Sequence, residues 1–227
     1  MNNVADRILH EDNHTIVVNK SASEIVQGDK TGDEPLLEKI RSYLKEKYNK
    51  PGNVFCGLVH RLDRPTSGAL VFAKTSKGLS RLNEQFRDKS TRKIYWAIVE
   101  TRPVEKEGKL IDYLKKNEKQ NKSYVCDELV KGAKQAILSY KWLQSSQHYH
   151  LLEIVLETGR HHQIRCQLAN IGCVIKGDLK YGAKRSNKDA SICLHSRILI
   201  YKHPTSQEEI NINAPVPNDP LWQFFKN

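Results

Sequence analysis

Apolar residues in this chain come in short runs, and their spacing switches between a period of two and a period near 3.6. Ile8–His10 and Thr15–Asn19 flank the polar turn Glu11–His14 and predict two short strands. Asp33-Glu34-Pro35 then opens a helix from Leu36 to about Tyr48, with Leu37, Ile40, Tyr43 and Leu44 on one face and Pro51-Gly52 as its stop. Two apolar runs, Gly57–Val59 and Ala69–Ala73, bracket a densely charged turn. Ser76 is the expected cap of a second helix, Lys77–Arg87, whose apolar side is Leu79, Leu82 and Phe86. Strands are expected at Lys93–Glu100, Lys122–Cys126, Ala136–Trp142 and Tyr149–Leu156. Lys115–Lys122 is too polar to pack and predicts a solvated loop.

Helical spacing returns over Arg160–Ile171, where Ile164, Leu168 and Ile171 line one face and His161 and Arg165, four apart, line another. Because Thr158-Gly159 precedes it, this helix starts from a loop after a strand. Its free N–H groups and dipole, with Arg160 and His161, make a plausible anion site. Ser191–Tyr201 and Glu209–Ile212 read as further strands, and Asp219–Lys226 as a short helix anchored by Leu221, Trp222 and Phe225. Many strands with helices inserted irregularly between them predict an α+β fold, and the absence of any repeat predicts one domain over residues 1–227.

Charge narrows the partner. Lysine and arginine number 37 against 26 acids, a net +11, which suits a polyanion. From Arg160 to Lys188 there are seven basic residues and a single acid, Asp178. The five cysteines (56, 126, 166, 173, 193) are odd in number and form no Cys-x-x-Cys pair, so free thiols in the cytoplasm are expected and no metal site. His161 and His162 near Cys166 and Cys173 fit no common zinc spacing. No apolar run approaches about 18 residues, and Met1–Arg7 lack the apolar core of a secretion signal, so no membrane partner is expected. Neither a phosphate loop nor a dinucleotide fingerprint is present.

Within the charged turn, Asp63 stands between Arg61 and Arg64. Arginines beside a carboxylate keep it ionised and oriented, as an attacking group requires, though spacing alone equally allows a solvated hairpin turn.

His60-Arg61-Leu62-Asp63-Arg64-Pro65-Thr66-Ser67-Gly68 resembles the signature of the RluA-type RNA pseudouridine synthases. Arg92-Lys93-Ile94-Tyr95-Trp96-Ala97, Thr158–Arg165, Gly177–Gly182 and Leu194-His195-Ser196 resemble four later landmarks of that family, in its order. The resemblance implies a bent, mainly antiparallel sheet with flanking helices and a central cleft, with no N-terminal RNA-binding domain ahead of Ile8. It implies RNA as partner, ribosomal or transfer, and not DNA; a monomer is expected. No cofactor is expected, because the isomerisation involves neither redox change nor group donor.

The family likeness maps the catalytic carboxylate onto Asp63. Tyr95 would pack against the uracil and is a candidate for removing the C5 proton, and Arg165 would pair with Asp63. The target base must leave its stack, and Arg61, with His60 beside it, is the candidate to fill the gap. Arg64 would serve the turn or a phosphate. Arg160, His161, His162, Lys184 and Arg185 are the remaining expected RNA contacts, and the Lys115–Lys122 loop an alternative one. Whether the carboxylate attacks the sugar, adds to uracil C6 or abstracts a sugar proton stays open. Two departures stand out: Lys20-Ser21-Ala22-Ser23 replaces a common Lys-Pro-x-Gly, and Pro65 follows Arg64 where an acid is common. A non-catalytic RNA-binding or ribosome-assembly protein would not need Asp63, Tyr95 and Arg165 together. A metal-dependent nuclease would need clustered carboxylates, and Asp63 has no acidic neighbour nearby in sequence.

Overall fold

The computed structural model describes residues 3–29 and 31–226; Met1 and Asn2 of the polar N-terminal stretch lie outside them. In chain order the strands are β1 (Ile8–Glu11), β2 (Thr15–Lys20), β3 (Gly57–Leu58), β4 (Ser67–Ala73), β5 (Arg92–Val99), β6 (Glu107–Asn117), β7 (Lys122–Cys126), β8 (Lys134–Ser145), β9 (His150–Leu156), β10 (Leu194–Lys202) and β11 (Glu209–Asn213). The helices are α1 (Leu36–Lys47), α2 (Ser76–Arg87), α3 (Gln163–Asn170) and α4 (Pro220–Lys226). The fold is α+β. Contacts divide the chain into two compact units, Met1–Arg92 with Ser196–Pro217 and Lys93–His195 with Asn218–Asn227.

In the first unit the strand order is β1-β2-β4-β10, with β11 on β10 and β3 on β4. β2 and β4 run antiparallel from Thr15 opposite Ala73 to Lys20 opposite Gly68. Every residue of β4 is buried, which is why Ala69–Ala73 is a continuous apolar run with no alternation. Val17, Val71, Leu82, Leu199, Tyr201 and Ile212 form the core on one side of this sheet. α1 buries Ile40 and Leu44 of its expected face together with Leu36, while Leu37 and Tyr43 are only half-buried. α2 starts at Ser76 and not after it: the cap is Thr75, whose hydroxyl accepts from the Gly78 N–H at 3.0 Å.

Gly68 closes the charged turn and opens β4 into the sheet. Its φ is +116°, and a Cβ there would overlap the Ser196 backbone, 2.8 Å from the carbonyl carbon. Only glycine gives both the backbone angle and the close approach to β10.

In the second unit the order is β5-β9-β8-β6-β7, with antiparallel registers throughout. β6 has no counterpart in the sequence reading. It carries Lys109, Asp112, Lys115 and Lys116 on a half-solvated strand, so its apolar alternation is weak. Lys115–Lys122 is likewise not a loop. β6 runs on to Asn117 and returns at Lys122, with Lys115 opposite Tyr124 and Lys116 opposite Ser123. Backbone pairing satisfies the chain here while the lysine heads stay in water. α3 begins three residues later than the spacing suggests, because His162 takes a left-handed φ of 53° that keeps the helix from extending back before Gln163. His161 therefore stands outside α3 and shares no helical face with Arg165, and Ile171 falls just past its end. At α4 the Asp219 carboxylate accepts from Leu221 N at 2.9 Å, while Trp222 and Phe225 are buried and Leu221 is half-buried.

Candidate active site

Within the first unit, the turn between β3 and β4 is held from three sides. Leu62 is buried, and the His60 ring stacks on Phe86 with centroids 4.5 Å apart. Val71 N donates to His60 Nε2 at 3.3 Å, so this ring pins the turn to β4. Beneath the turn lies Lys20, the last residue of β2 and fully buried. Its ammonium donates to the carbonyls of Ser21 (3.0 Å), Arg64 (3.0 Å) and Thr66 (2.7 Å), with the Asp63 carbonyl at 3.4 Å. Thr66 N also donates to Asp63 O at 3.0 Å. The main chain of Asp63 is thus fixed, while its side chain is half-exposed and flanked by exposed Arg61 and Arg64. Arg64 meets Asp33 at 2.5 Å, but both groups are about half-exposed, so the pair is worth under ~1 kcal/mol and yields readily to another anion.

Lys20 is a residue that sequence reasoning missed. The signal was a lysine ending a strand whose other positions are buried or nearly so.

In the second unit, Tyr95 lies on β5 opposite Ile154 and is 6 % exposed. Arg165 projects from α3 and is buried. Its Nε and Nη2 donate to the two oxygens of Asp178, at 2.7 and 2.8 Å, and Asp178 is 1 % exposed. Such a two-point pair fixes the guanidinium plane. The Tyr181 ring lies 5.2 Å from the Arg165 guanidinium carbon. Asp178 was visible in sequence within the Gly177–Gly182 landmark and as the one acid between Arg160 and Lys188; its packing against Arg165 could not be read from either.

His161 and His162 stack with centroids 3.8 Å apart. His161 contacts Ser123 Oγ (2.9 Å) and Asn121 Oδ1 (3.0 Å), and His162, buried, contacts the Tyr181 hydroxyl at 3.1 Å. Ser123 N donates to that hydroxyl at 2.9 Å, so both rings tie the β6–β7 hairpin to the start of α3. The loop entering α3 is closed by Gln163, whose Oε1 accepts from Thr158 Oγ1 and Arg160 N. Arg160 is exposed and donates through Nε to Gln135 O at 2.8 Å. Lys184 and Arg185 are exposed on the segment after Tyr181. Burial pushes the thiols of Cys166 and Cys173 up to about 11, which removes them as nucleophiles near neutral pH.

A sequence profile of the RNA pseudouridylate synthase family matches residues 14–170. The chain belongs to that family. It is an RNA pseudouridine synthase, an isomerase acting on uridine in RNA. An uncharacterized RNA pseudouridine synthase of Synechocystis is 32% identical over 219 residues, covering 95% of this chain and 67% of that one. Ribosomal large subunit pseudouridine synthase D of Zymomonas mobilis is 32% identical, covering 96% and 71%. Ribosomal large subunit pseudouridine synthase C of Rickettsia prowazekii is 35% identical, covering 94% and 69%. The solved human RNA pseudouridylate synthase domain containing 4 shares the fold, with a TM-score of 0.81 at 24% identity over 98% of this chain and 93% of that one. The matched residues 14–170 include the turn of Asp63, the strand of Tyr95 and the helix of Arg165. Among the described residues no helix is long and apolar enough to cross a membrane.

Proposed function

We propose that this enzyme isomerises uridines in structured RNA with Asp63 as the catalytic carboxylate, and that large-subunit ribosomal RNA is its first candidate substrate, ahead of transfer RNA. The observation that carries the reading is the turn itself: a half-buried Asp63 between two exposed arginines, on a main chain locked by a buried ammonium. The ribosomal assignment rests on relatives named for the large subunit.

In the reaction the C1′–N1 bond breaks, uracil turns, and a C1′–C5 bond forms; C5 gives up a proton and N1 gains one. Asp63 supports it as nucleophile or base. Tyr95 offers an aromatic face to uracil and a hydroxyl able to take the C5 proton. Arg165, oriented by Asp178, stabilises negative charge at the reacting centre. Arg61 replaces the extruded base in its stack. Arg64, Arg160, Lys184 and Arg185 hold phosphates, while His60, His161 and His162 shape the surfaces that carry them. In this reading residues 1–227 work as one catalytic domain, as a monomer in the cytoplasm, on RNA and not DNA.

Mapping pseudouridines in ribosomal and transfer RNA from cells with and without the gene tests this. Sites in large-subunit ribosomal RNA should disappear with the gene and return with the wild-type copy. Loss confined to transfer RNA would overturn the ribosomal assignment, and identical maps would overturn both.

A further inference from the structure

From Lys184 to Ala190 every residue is exposed except Asn187, which is half-buried in the middle of the basic run Lys184-Arg185-Ser186-Asn187-Lys188. Both ends of this loop are stitched to β5. Lys176 N donates to Ile98 O, Ile98 N to Cys193 O and Cys193 N to Lys176 O, each at 2.9 Å. Backbone pairing thus fixes the ends, and the middle of the loop depends on side chains.

Asn187 turns its carboxamide back across the base of the loop. Lys176 Nζ donates to Asn187 Oδ1, Asn187 Nδ2 donates to Ser191 Oγ (3.2 Å), and Ser191 Oγ donates to Asp189 Oδ1 (2.6 Å). The series runs from an ammonium to a carboxylate with every donor pointing the same way, so each bond polarises the next. The Tyr149 ring, with its centroid 5.7 Å from the Lys176 ammonium, helps to place the first donor. Asn187 Nδ2 also donates to Cys193 Sγ at 3.6 Å, and Asn187 O accepts from Ala190 N at 3.1 Å. Gly177 makes room for the amide. Its φ is +87°, and a Cβ there would stand 2.8 Å from both Asn187 Nδ2 and Ser191 O.

We infer that Asn187 is a positioning residue for RNA: its carboxamide latches the loop, so that Lys184, Arg185 and Lys188 meet phosphates from a backbone already ordered. The inference rests on this segment holding RNA phosphates. Ordering a loop at the moment of binding subtracts from affinity, and a loop ordered beforehand avoids that loss. The number of phosphate contacts is set by the cations and not by the latch, so the two separate in the salt dependence. Cys193 reports on the latch. It is 3 % exposed, Asn187 donates to its sulfur, and burial pushes its thiol up to about 11. A thiol reagent therefore reaches it only when the loop lifts.

The test compares wild type, Asn187→Ala and the triple variant Lys184→Ser, Arg185→Ser, Lys188→Ser on an unmodified, C5-tritiated transcript of large-subunit ribosomal RNA. Asn187→Ala should bind about fivefold more weakly with the salt slope of wild type, and KM should rise to match while kcat stays within about twofold. Its Cys193 should react with a thiol reagent about tenfold faster or more, read by mass spectrometry of the labelled peptide. Cys166 and Cys173, buried elsewhere, should keep their wild-type rates, which separates local opening from unfolding. In wild type, saturating RNA should slow the labelling of Cys193. Unchanged Cys193 labelling in Asn187→Ala would overturn the latch, and faster labelling at wild-type affinity would overturn its role toward RNA. An unaltered salt slope in the triple variant, with Asn187→Ala still labelling faster, would instead overturn the phosphate reading on which the inference stands.

Discussion

Arg165 illustrates how the residue scale constrains the chemistry. A buried guanidinium without a partner costs several kcal/mol, and Asp178 supplies one through two parallel hydrogen bonds inside the same unit. The motifs of Arg165 and Asp178 are both legible in the sequence, but their pairing, thirteen residues apart, is not, because nothing in spacing shows which acid packs beneath a helix. Tyr95 is similar: as a strand aromatic it is indistinguishable from core, and only its Lys-x-Tyr context marks it. Its two proposed roles separate by substitution. Tyr95→Phe keeps the aromatic face and loses the hydroxyl; Tyr95→Leu loses both. If the hydroxyl takes the C5 proton, both variants should fall about 100-fold or more in single-turnover product formation. Phe at near wild-type rate with Leu slow would leave packing as the residue's only contribution.

At the scale of elements, the turn between β1 and β2 is built around carboxylates. Glu11 accepts from Lys74 (2.7 Å), Tyr48 (2.7 Å), Lys47 (2.8 Å) and Tyr43 (2.9 Å), tying β1 to α1 and to the end of β4. Burial alone would raise this carboxyl, but the hydrogen bonds from Lys47, Lys74 and the tyrosines outweigh it and hold it at about 2, against 4.5 for an ordinary glutamate. Between those values the unfolded chain binds the extra proton. The stabilisation is therefore complete above about pH 4.5 and is lost as pH falls toward 2. Glu11→Gln should cost about 1–2 kcal/mol at pH 7, allowing for solvent screening around the exposed Lys47. Urea unfolding should show the gap to wild type narrowing at pH 3; a gap independent of pH would contradict this.

Elements with strong periodicity or an apolar run were legible: α1, α2 and β9 in the first way, β2 and β4 in the second. The failures share a cause. β6, the β6–β7 hairpin and the late start of α3 are set by backbone geometry, through cross-strand pairing and one left-handed histidine, and side-chain hydropathy carries little of that information.

For the whole molecule, net charge is a statement about the partner. Lys184, Arg185 and Lys188 are exposed together after Tyr181 and suit phosphate contact without base reading. Replacing all three with serine should lower the slope of log affinity against log salt by about 2, close to 0.7–0.9 per lost contact. The loss should be similar for different RNA sequences, with kcat at saturating RNA little changed. An unaltered slope would place the RNA-binding surface elsewhere.

The central claim is that Asp63 is the carboxylate on which isomerisation depends, and Asp63→Asn tests it most directly. The amide keeps the size of the side chain and removes its charge, while Lys20, His60 and Gly68 still hold the turn. Tritium release from C5-tritiated RNA should fall below detection, with thermal midpoint and RNA affinity close to wild type. Turnover within about tenfold of wild type, a difference of only ~1.4 kcal/mol in barrier, would contradict the account.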